Sequence, residues 1–450
     1  MKNPLARKIT YGSLIGFALP TVAMMVFMAA YTIADSLFVS ILINTDALAA
    51  VNIVYPFYCV ILATGAMLAA GGSAIVAREM GKGENILARK IFTFILLSGF
   101  AISIFLAVVG FIFAEQVLAM LGASGALEQY SYDYYIQLLF FLPSIMLQIL
   151  FEMFFVTAGF PKRGLVLIVF AGITNVFLDY YFIGILEMGI SGAALATGIG
   201  YTIPAFFGLI FFLKKDKSLY YCKPLFSFKI LLQASLNGAS EMVIYLATGF
   251  STLLLNWMAL SLIGINGVAA IAILLYSEFL LNAVFYGFAQ GLAPIISYNY
   301  GRSDSFRLRK IIQICIFLIS GCSLIIFLLA NIGAGYIVGM FATNNPDVFE
   351  IAYNGFLLFS FCFLSMGFNI YASALFTALS NGKLSAIIAF MRTFFFMGLG
   401  ILLLPRIIGV NGLWLALPVA EVLTLIIAIF LVAREYRVHI TSSKSINSVF

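Results

Sequence analysis

Six carboxylates lie inside stretches of sequence that are otherwise apolar: Asp35, Glu152, Asp179, Glu241, Glu278 and Glu421. One basic residue, Arg392, shares that setting. A charge in a hydrocarbon interior costs about 2.5–3.5 kcal/mol on insertion scales, so it is expected where an ion or polar substrate passes. Helical spacing adds amides to these acids. Asn175 and Asp179 lie four apart, as do Gln148 and Glu152, and Glu278 and Asn282. Residues four apart share one face of a helix. Carboxylate and amide oxygens together suit a hard cation such as Na⁺. A carboxyl held in apolar surroundings suits a proton, and two neighbouring carboxyls titrate as a pair. On these grounds both ions stay open.

Other chemistries are excluded by what the chain lacks. Its single histidine, His439, leaves no Ser-His-Asp or Cys-His arrangement and no histidine metal site. Cys59, Cys222, Cys315, Cys322 and Cys362 make no C-x-x-C pair, so neither a zinc site nor a disulfide framework is expected. No G-x-x-x-x-G-K-[ST] loop offers direct use of ATP. An enzyme is therefore not expected, nor any cofactor beyond a coupling ion.

The elements that must hold these acids are membrane helices. Of 450 residues, 63% are hydrophobic and 9% charged, where a soluble chain carries about a quarter charged. Apolar runs able to cross about 30 Å of hydrocarbon occur twelve times. They fall near residues 11–43, 47–77, 90–114, 130–158, 164–184, 188–213, 230–260, 267–299, 310–336, 350–379, 384–404 and 409–433. The first run follows Lys2, Arg7 and Lys8 and is too long for a cleaved signal peptide, so it reads as a retained span. With a cytoplasmic N-terminus, 22 of the 24 Lys and Arg fall on the cytoplasmic side. The positive-inside rule then places both termini in the cytoplasm of a cell (plasma or inner) membrane. The net charge of +6 belongs to those loops and does not call for nucleic acid.

The chain also repeats itself at an offset of 220 residues. Gly81-Lys82-Gly83-Glu84 lies over Gly301-Arg302-Ser303-Asp304, and Arg89-Lys90-Ile91 over Arg309-Lys310-Ile311. Ala49-Ala50, Gly71, Thr157-Ala158, Gly189 and Gly192 find their counterparts at Ala269-Ala270, Gly291, Thr377-Ala378, Gly409 and Gly412. Six spans per half is an even number, so the halves share orientation about an axis along the membrane normal. That is a transporter design with its cavity between two lobes. The expected division is an N-lobe at 1–213, a cytoplasmic linker at 214–229, a C-lobe at 230–433 and a cytoplasmic tail at 434–450.

The buried charges do not follow the repeat. Asp35, Glu152, Asp179, Glu241, Glu278, Glu421 and Arg392 fall opposite Leu255, Ala372, Leu399, Thr21, Tyr58, Tyr201 and Gly172. The scaffold is built without them, which points to function; a packed ion pair is the competing role for Glu421 and Arg392. Pro20, in the middle of span 1, removes a backbone hydrogen bond and predicts a bend near Asp35, as a gate or as a static kink. Met24, Met25, Met28, Met67, Met153 and Met242 offer adaptable surface for varied apolar cations, or plain packing.

Several segments resemble the multidrug and toxic compound extrusion (MATE) family of the MOP flippase superfamily, in its DinF/MepA-like branch. They are Pro20, Asp35, Ala47-Leu48-Ala49-Ala50, Gly71-Gly72-Ser73-Ala74 and Ala77-Arg78-Glu79-Met80-Gly81-Lys82-Gly83. In the second half they are Gly267-Val268-Ala269-Ala270 and Pro294-Ile295-Ile296-Ser297-Tyr298-Asn299-Tyr300-Gly301. The resemblance covers about residues 10–433. It implies an all-α integral membrane protein of twelve transmembrane helices in two pseudo-symmetric, V-shaped six-helix bundles. It further implies a secondary active multidrug antiporter, exporting amphipathic organic cations in exchange for H⁺ or Na⁺ by alternating access, and a monomer. The family's N-lobe cation site falls on Asp35, Asn175, Asp179 and Thr197, with Gln148 an approximate match for a further amide and Glu152 beside it. A C-lobe acidic pair known in another branch finds Glu241 on span 7, but span 10 offers only Glu350 at its mouth and Asn369 inside. Glu278, with Asn282, resembles a position on span 8 used for coupling or substrate.

Two other functions compete. A flippase for a lipid-linked saccharide or another amphipathic metabolite shares the superfamily, but its pyrophosphate would call for more basic residues than Arg392. A channel is less suited to two pseudo-symmetric lobes, since channels usually form rings by oligomerisation.

Overall fold

In the computed structural model, residues 4–43, 45–342 and 345–446 are described. All regular structure among them is helical, and twelve helical stretches are long and apolar enough to cross a membrane. The first half is built from α1 (Tyr11–Leu42), α2 (Thr45–Gly81), α3 (Asn85–Ile112), α4 (Ala114–Leu121), α5 (Ala126–Thr157), α6 (Pro161–Asp179) and α7 (Gly189–Phe211). The second half holds α8 (Phe228–Asn237), α9 (Ala239–Leu262), α10 (Ile265–Gly301), α11 (Ser305–Ile332), α12 (Ala334–Phe341), α13 (Pro346–Phe359), α14 (Phe363–Ala378), α15 (Gly382–Phe390), α16 (Met397–Ile408) and α17 (Val410–Ile446).

Local sequence explains several helix starts. Thr10 accepts a hydrogen bond from Ser13 N, Asp304 from Arg307 N and Asn345 from Val348 N, each satisfying a first-turn donor. Pro346 follows Asn345 at the first helical position, where a missing N–H costs nothing. The spans run on average beyond the hydropathic cores from which they were read. Exposed apolar residues such as Phe105, Phe140, Leu253 and Phe430 clothe the outside, as a bilayer requires.

Several features depart from the expectation of simple spans. Span 7 is two helices, α8 and α9, broken at Gly238. The break sits where a Cβ on Gly238 would fall 1.9 Å from the Met67 carbonyl oxygen of α2. Spans 5 and 11 each contain a π-helical stretch, at Tyr180–Ile185 and Met391–Phe396. Such wide turns free backbone groups and concentrate at functional sites. α4 and α12 are short extra helices, and their start residues lie at the same 220-residue offset as the rest of the repeat. Finally, the expected tail from residue 434 continues α17 as helix to Ile446.

The two bundles meet through glycines. A Cβ on Gly81 of α2 would lie 2.0 Å from the Tyr298 carbonyl oxygen of α10, and one on Gly301 would lie 2.0 Å from that of Arg78. Gly287 of α10 touches the backbone of Thr21 and Val22 in α1, beside Pro20. α1 continues as one helix through that proline. Gly71 of α2 meets Ala234 and Gly238 in the same manner. These approaches all lie in the half of the spans that leads to the basic loops. Any side chain there would force the bundles apart.

Candidate functional site

In the first bundle, α1 and α6 run side by side in the same direction. Gly172 of α6 makes the notch: a Cβ there would sit 2.5 Å from the Phe27 ring and 2.9 Å from the Tyr31 ring of α1. Two turns further along each helix come Asp35 and Asp179. Their carboxyls face each other closely enough to interact directly. Asp179 is fully buried, and the π-helical stretch begins at the next residue. Yet both Asp179 carboxylate oxygens and Oδ1 of Asp35 lack a hydrogen-bond partner among the described residues. Two acceptor-only groups cannot satisfy one another. Their pairing is stable only with a cation or a proton between them.

The surroundings supply neutral polar atoms. Asn175, one turn before Asp179, is buried against Gly200 of α7, and its Nδ2 has no partner. Thr197 lies one turn before Gly200. Four tyrosines, Tyr31, Tyr58, Tyr134 and Tyr201, close the cluster. Tyr58 and Tyr201 hydrogen-bond through their hydroxyls. Tyr201 also lies beside Tyr31, and Tyr31, Tyr134 and Tyr201 all lie within electrostatic reach of Asp35. Glu152 of α5 reaches Tyr31 and Tyr201, and its Oε1 is buried without a partner. Gln148 is buried one turn from Glu152. Among the described residues, no hydrogen bond joins Gln148 or Thr197 to these carboxylates. The structure thus brings Asp35, Asp179 and Glu152 into one tyrosine-lined cluster, with Asn175 on its α6 wall.

The second bundle is organised around Arg392, at the start of the π-helical stretch in span 11. Its Nε donates to Glu421 Oε1 at 2.6 Å. Asn369 Nδ2 donates to the other oxygen of Glu421 at 2.6 Å and to its backbone carbonyl at 2.8 Å. Tyr286 lies beside the guanidinium as well. Both Glu421 oxygens are therefore satisfied, and the pair is the packed ion pair considered for it from the sequence. Glu241 and Glu278 lie within electrostatic reach of Arg392 without binding it. Glu278 Oε1 instead accepts from Asn282 Nδ2 at 3.2 Å, the contact their spacing predicts.

The two clusters approach one another across the bundle interface. Tyr245 of α9 lies within reach of Glu241 of its own bundle and of Glu152 across the interface. Met24 and Met153, by contrast, are buried, with relative exposures of 1% and 7%. The tyrosines were not singled out from the sequence. The repeat held the signal: Tyr58 and Tyr201 occupy the positions of Glu278 and Glu421, so a polar side chain recurs there in both halves.

Comparison with known proteins agrees with this architecture. The MatE family model matches residues 20–181 and 221–402. The multidrug export protein MepA of Staphylococcus haemolyticus (strain JCSC1435) is 23% identical over 427 residues, covering 94% of this chain and 93% of that protein. Among solved structures, a MATE protein in complex with MaL6 superposes with a TM-score of 0.93 at 20% identity, covering 98% of this chain and 100% of the other. An outward-facing MATE family multidrug resistance transporter of the MOP superfamily gives 0.92 at 19% identity, covering 98% and 99%.

Proposed function

The chain belongs to the MatE family, a family of transporters rather than enzymes, and on that premise we propose that it exports amphipathic organic cations in exchange for H⁺ or Na⁺. The observation that carries this reading is the Asp35–Asp179 pair. Two carboxyls face each other with buried, unbonded oxygens and no donor between them, so the site demands a cation or a proton. Asn175 and Thr197 would contribute oxygens to Na⁺; a proton would need only the carboxyls and the phenols around them. On the substrate side, the wall of the second bundle holds Glu241 and Glu278, neither of them in an ion pair among the described residues. Arg392 is already neutralised by Glu421, which leaves that wall acidic and suited to a positively charged guest ringed by aromatic faces.

Exchange follows if the two bundles rock about their contacts. The glycine-mediated approaches hold the bundles together toward the basic loops, which positive-inside reasoning places in the cytoplasm. The arrangement described is then closed to the cytoplasm. Filling Asp35–Asp179 from outside would relieve the carboxylate pair and shift α1 against α6. Because α1 also crosses α10 at Gly287, that shift would reach the interface of the bundles and open the cytoplasmic side. This couples ion and substrate through a shared pair of states.

The test is ethidium movement in proteoliposomes under an imposed Na⁺ gradient and, separately, under an imposed pH gradient. Transport driven by one gradient and absent in a folded Asp179→Asn protein supports antiport and names the ion. Movement that ignores both gradients would refute it.

A further inference from the structure

The repeat relates two pockets where α2, α10 and the loops near them meet at the basic-loop end, and the halves treat them differently. In the first, Phe17 of α1, Phe160 before α6 and Tyr298 of α10 occupy equivalent positions. Arg7 lies over the Phe17 ring at 4.3 Å, and Arg163 over Phe160 at 5.0 Å. The helical turn Pro4–Ala6 closes the place, with Leu5 fully buried and Pro4 against Gly159. That pocket is filled with the protein's own side chains.

At the 220-residue offset the same three positions are Asn237, Ser380 and Arg78. Here a cavity of about 230 Å³ is left, lined by Arg78 and Ile75 of α2, Gln233 and Asn237 of α8, and Ser380 and Lys383 around the start of α15. Nothing covers it. Pro224-Leu225 repeats Pro4-Leu5, but the linker is led elsewhere. Cys222 N donates to Thr93 Oγ1 of α3, and Phe226 packs edge-on against Phe94. Leu225 is 37% exposed where Leu5 is at 0%.

The lining is polar and incompletely bonded. Asn237 is 5% exposed; its Nδ2 donates to the Thr377 carbonyl at 3.0 Å, while Oδ1 has no partner. Ser380 Oγ is also buried without a partner, on a backbone with φ of +60°. Arg78 shares Glu79 with Lys82, at 3.1 and 2.8 Å, so Glu79 does not fully neutralise the two cations. Lys383 forms no ion pair among the described residues. Buried donors and acceptors left open beside two cations call for an anionic ligand that also donates a hydrogen bond.

We propose that this cavity binds a phosphate group carrying a hydroxyl, either inorganic phosphate or the headgroup of phosphatidylglycerol. Arg78, Lys383 and the Ser380 hydroxyl meet its anionic oxygens, and the ligand's own hydroxyl donates to Asn237 Oδ1. Because Arg78 belongs to one bundle and the other three to its partner, the ligand bridges the two and stabilises the arrangement in which the basic-loop side is closed. Binding itself does not depend on the ion-exchange reading above, so the two can fail separately.

The test uses the full chain in nanodiscs of phosphatidylcholine and follows its thermal unfolding midpoint. One arm titrates inorganic phosphate at constant ionic strength; the other replaces part of the phosphatidylcholine with phosphatidylglycerol. A saturable rise in the midpoint is expected in at least one arm. A rise in the first identifies a dissolved ligand, and a rise in the second alone identifies a lipid. Lys383→Gln should weaken the effect, and Asn237→Phe, which copies the filled pocket, should abolish it. Ser380→Ala keeps the charges and should shift the titration to higher ligand. No rise in either arm, or an equal rise in all three variants, would overturn the proposal.

Discussion

The two bundles share a scaffold but hold their buried charge in opposite ways. In the first, Asp35 and Asp179 face each other with open oxygens. In the second, Glu421 is held by Arg392 and Asn369 at 2.6 Å each. The contrast is sharpest where the repeat superposes them. Tyr58 and Tyr201, bonded to one another, stand at the positions of Glu278 and Glu421, and Gly172 at that of Arg392. A glycine there lets α1 drop into α6 and bring two acids together. An arginine there fills the notch and neutralises an acid instead. One site is left needing a cation or a proton; the other is complete, and Glu241 and Glu278 beside it form no ion pair among the described residues.

This difference predicts opposite outcomes for similar substitutions. The largest effect is expected for Asp35→Asn and Asp179→Asn. Each should abolish gradient-driven ethidium movement while leaving the unfolding midpoint level or raised, since a costly buried charge has gone. A lowered midpoint with transport intact would make the pair structural. Next comes Arg392→Met, which strands Glu421 and should cost about 3–5 kcal/mol of stability, read as a lower midpoint in detergent. Adding Glu421→Leu should recover most of it, because replacing a whole buried pair with apolar residues is often neutral. Failure of the double variant to recover would mean that Arg392 does more than pack.

Smaller effects test the guests of each site. Glu278→Gln should weaken ethidium about tenfold, roughly 1.4 kcal/mol, and leave uncharged substrates unaffected. Equal loss for both kinds would assign Glu278 to the fold. Tyr58→Phe should be mildest, removing one hydrogen bond to Tyr201 worth about 0.5–1.5 kcal/mol and shifting the concentration of the coupling ion needed for half-maximal transport. An unchanged ion dependence would detach the tyrosines from the Asp35 site.

Particular residues show how far the chain alone could be read. The twelve spans were legible because hydropathy over about 20 residues is a local quantity. The contact between Glu278 and Asn282 was legible because helical periodicity is local as well. The break at Gly238 was not, because its cause is the Met67 carbonyl of another helix. The π-helical stretches after Asp179 and at Arg392 were hidden in ordinary apolar sequence. The short helices α4 and α12 were read as parts of the spans before them or the loops after.

What the amino-acid sequence determined by itself is the solvent, the number of crossings, the repeat and the inventory of buried charge, because each depends on composition or on spacing along the chain. Tertiary structure alone decided the partnerships. Asp35 meets Asp179 across 144 residues of sequence, and Glu421 meets Arg392 rather than the other acids. Such pairings are set by how closely two helices approach, and that distance depends on whether a glycine such as Gly172 or a side chain such as Arg392 stands at the crossing.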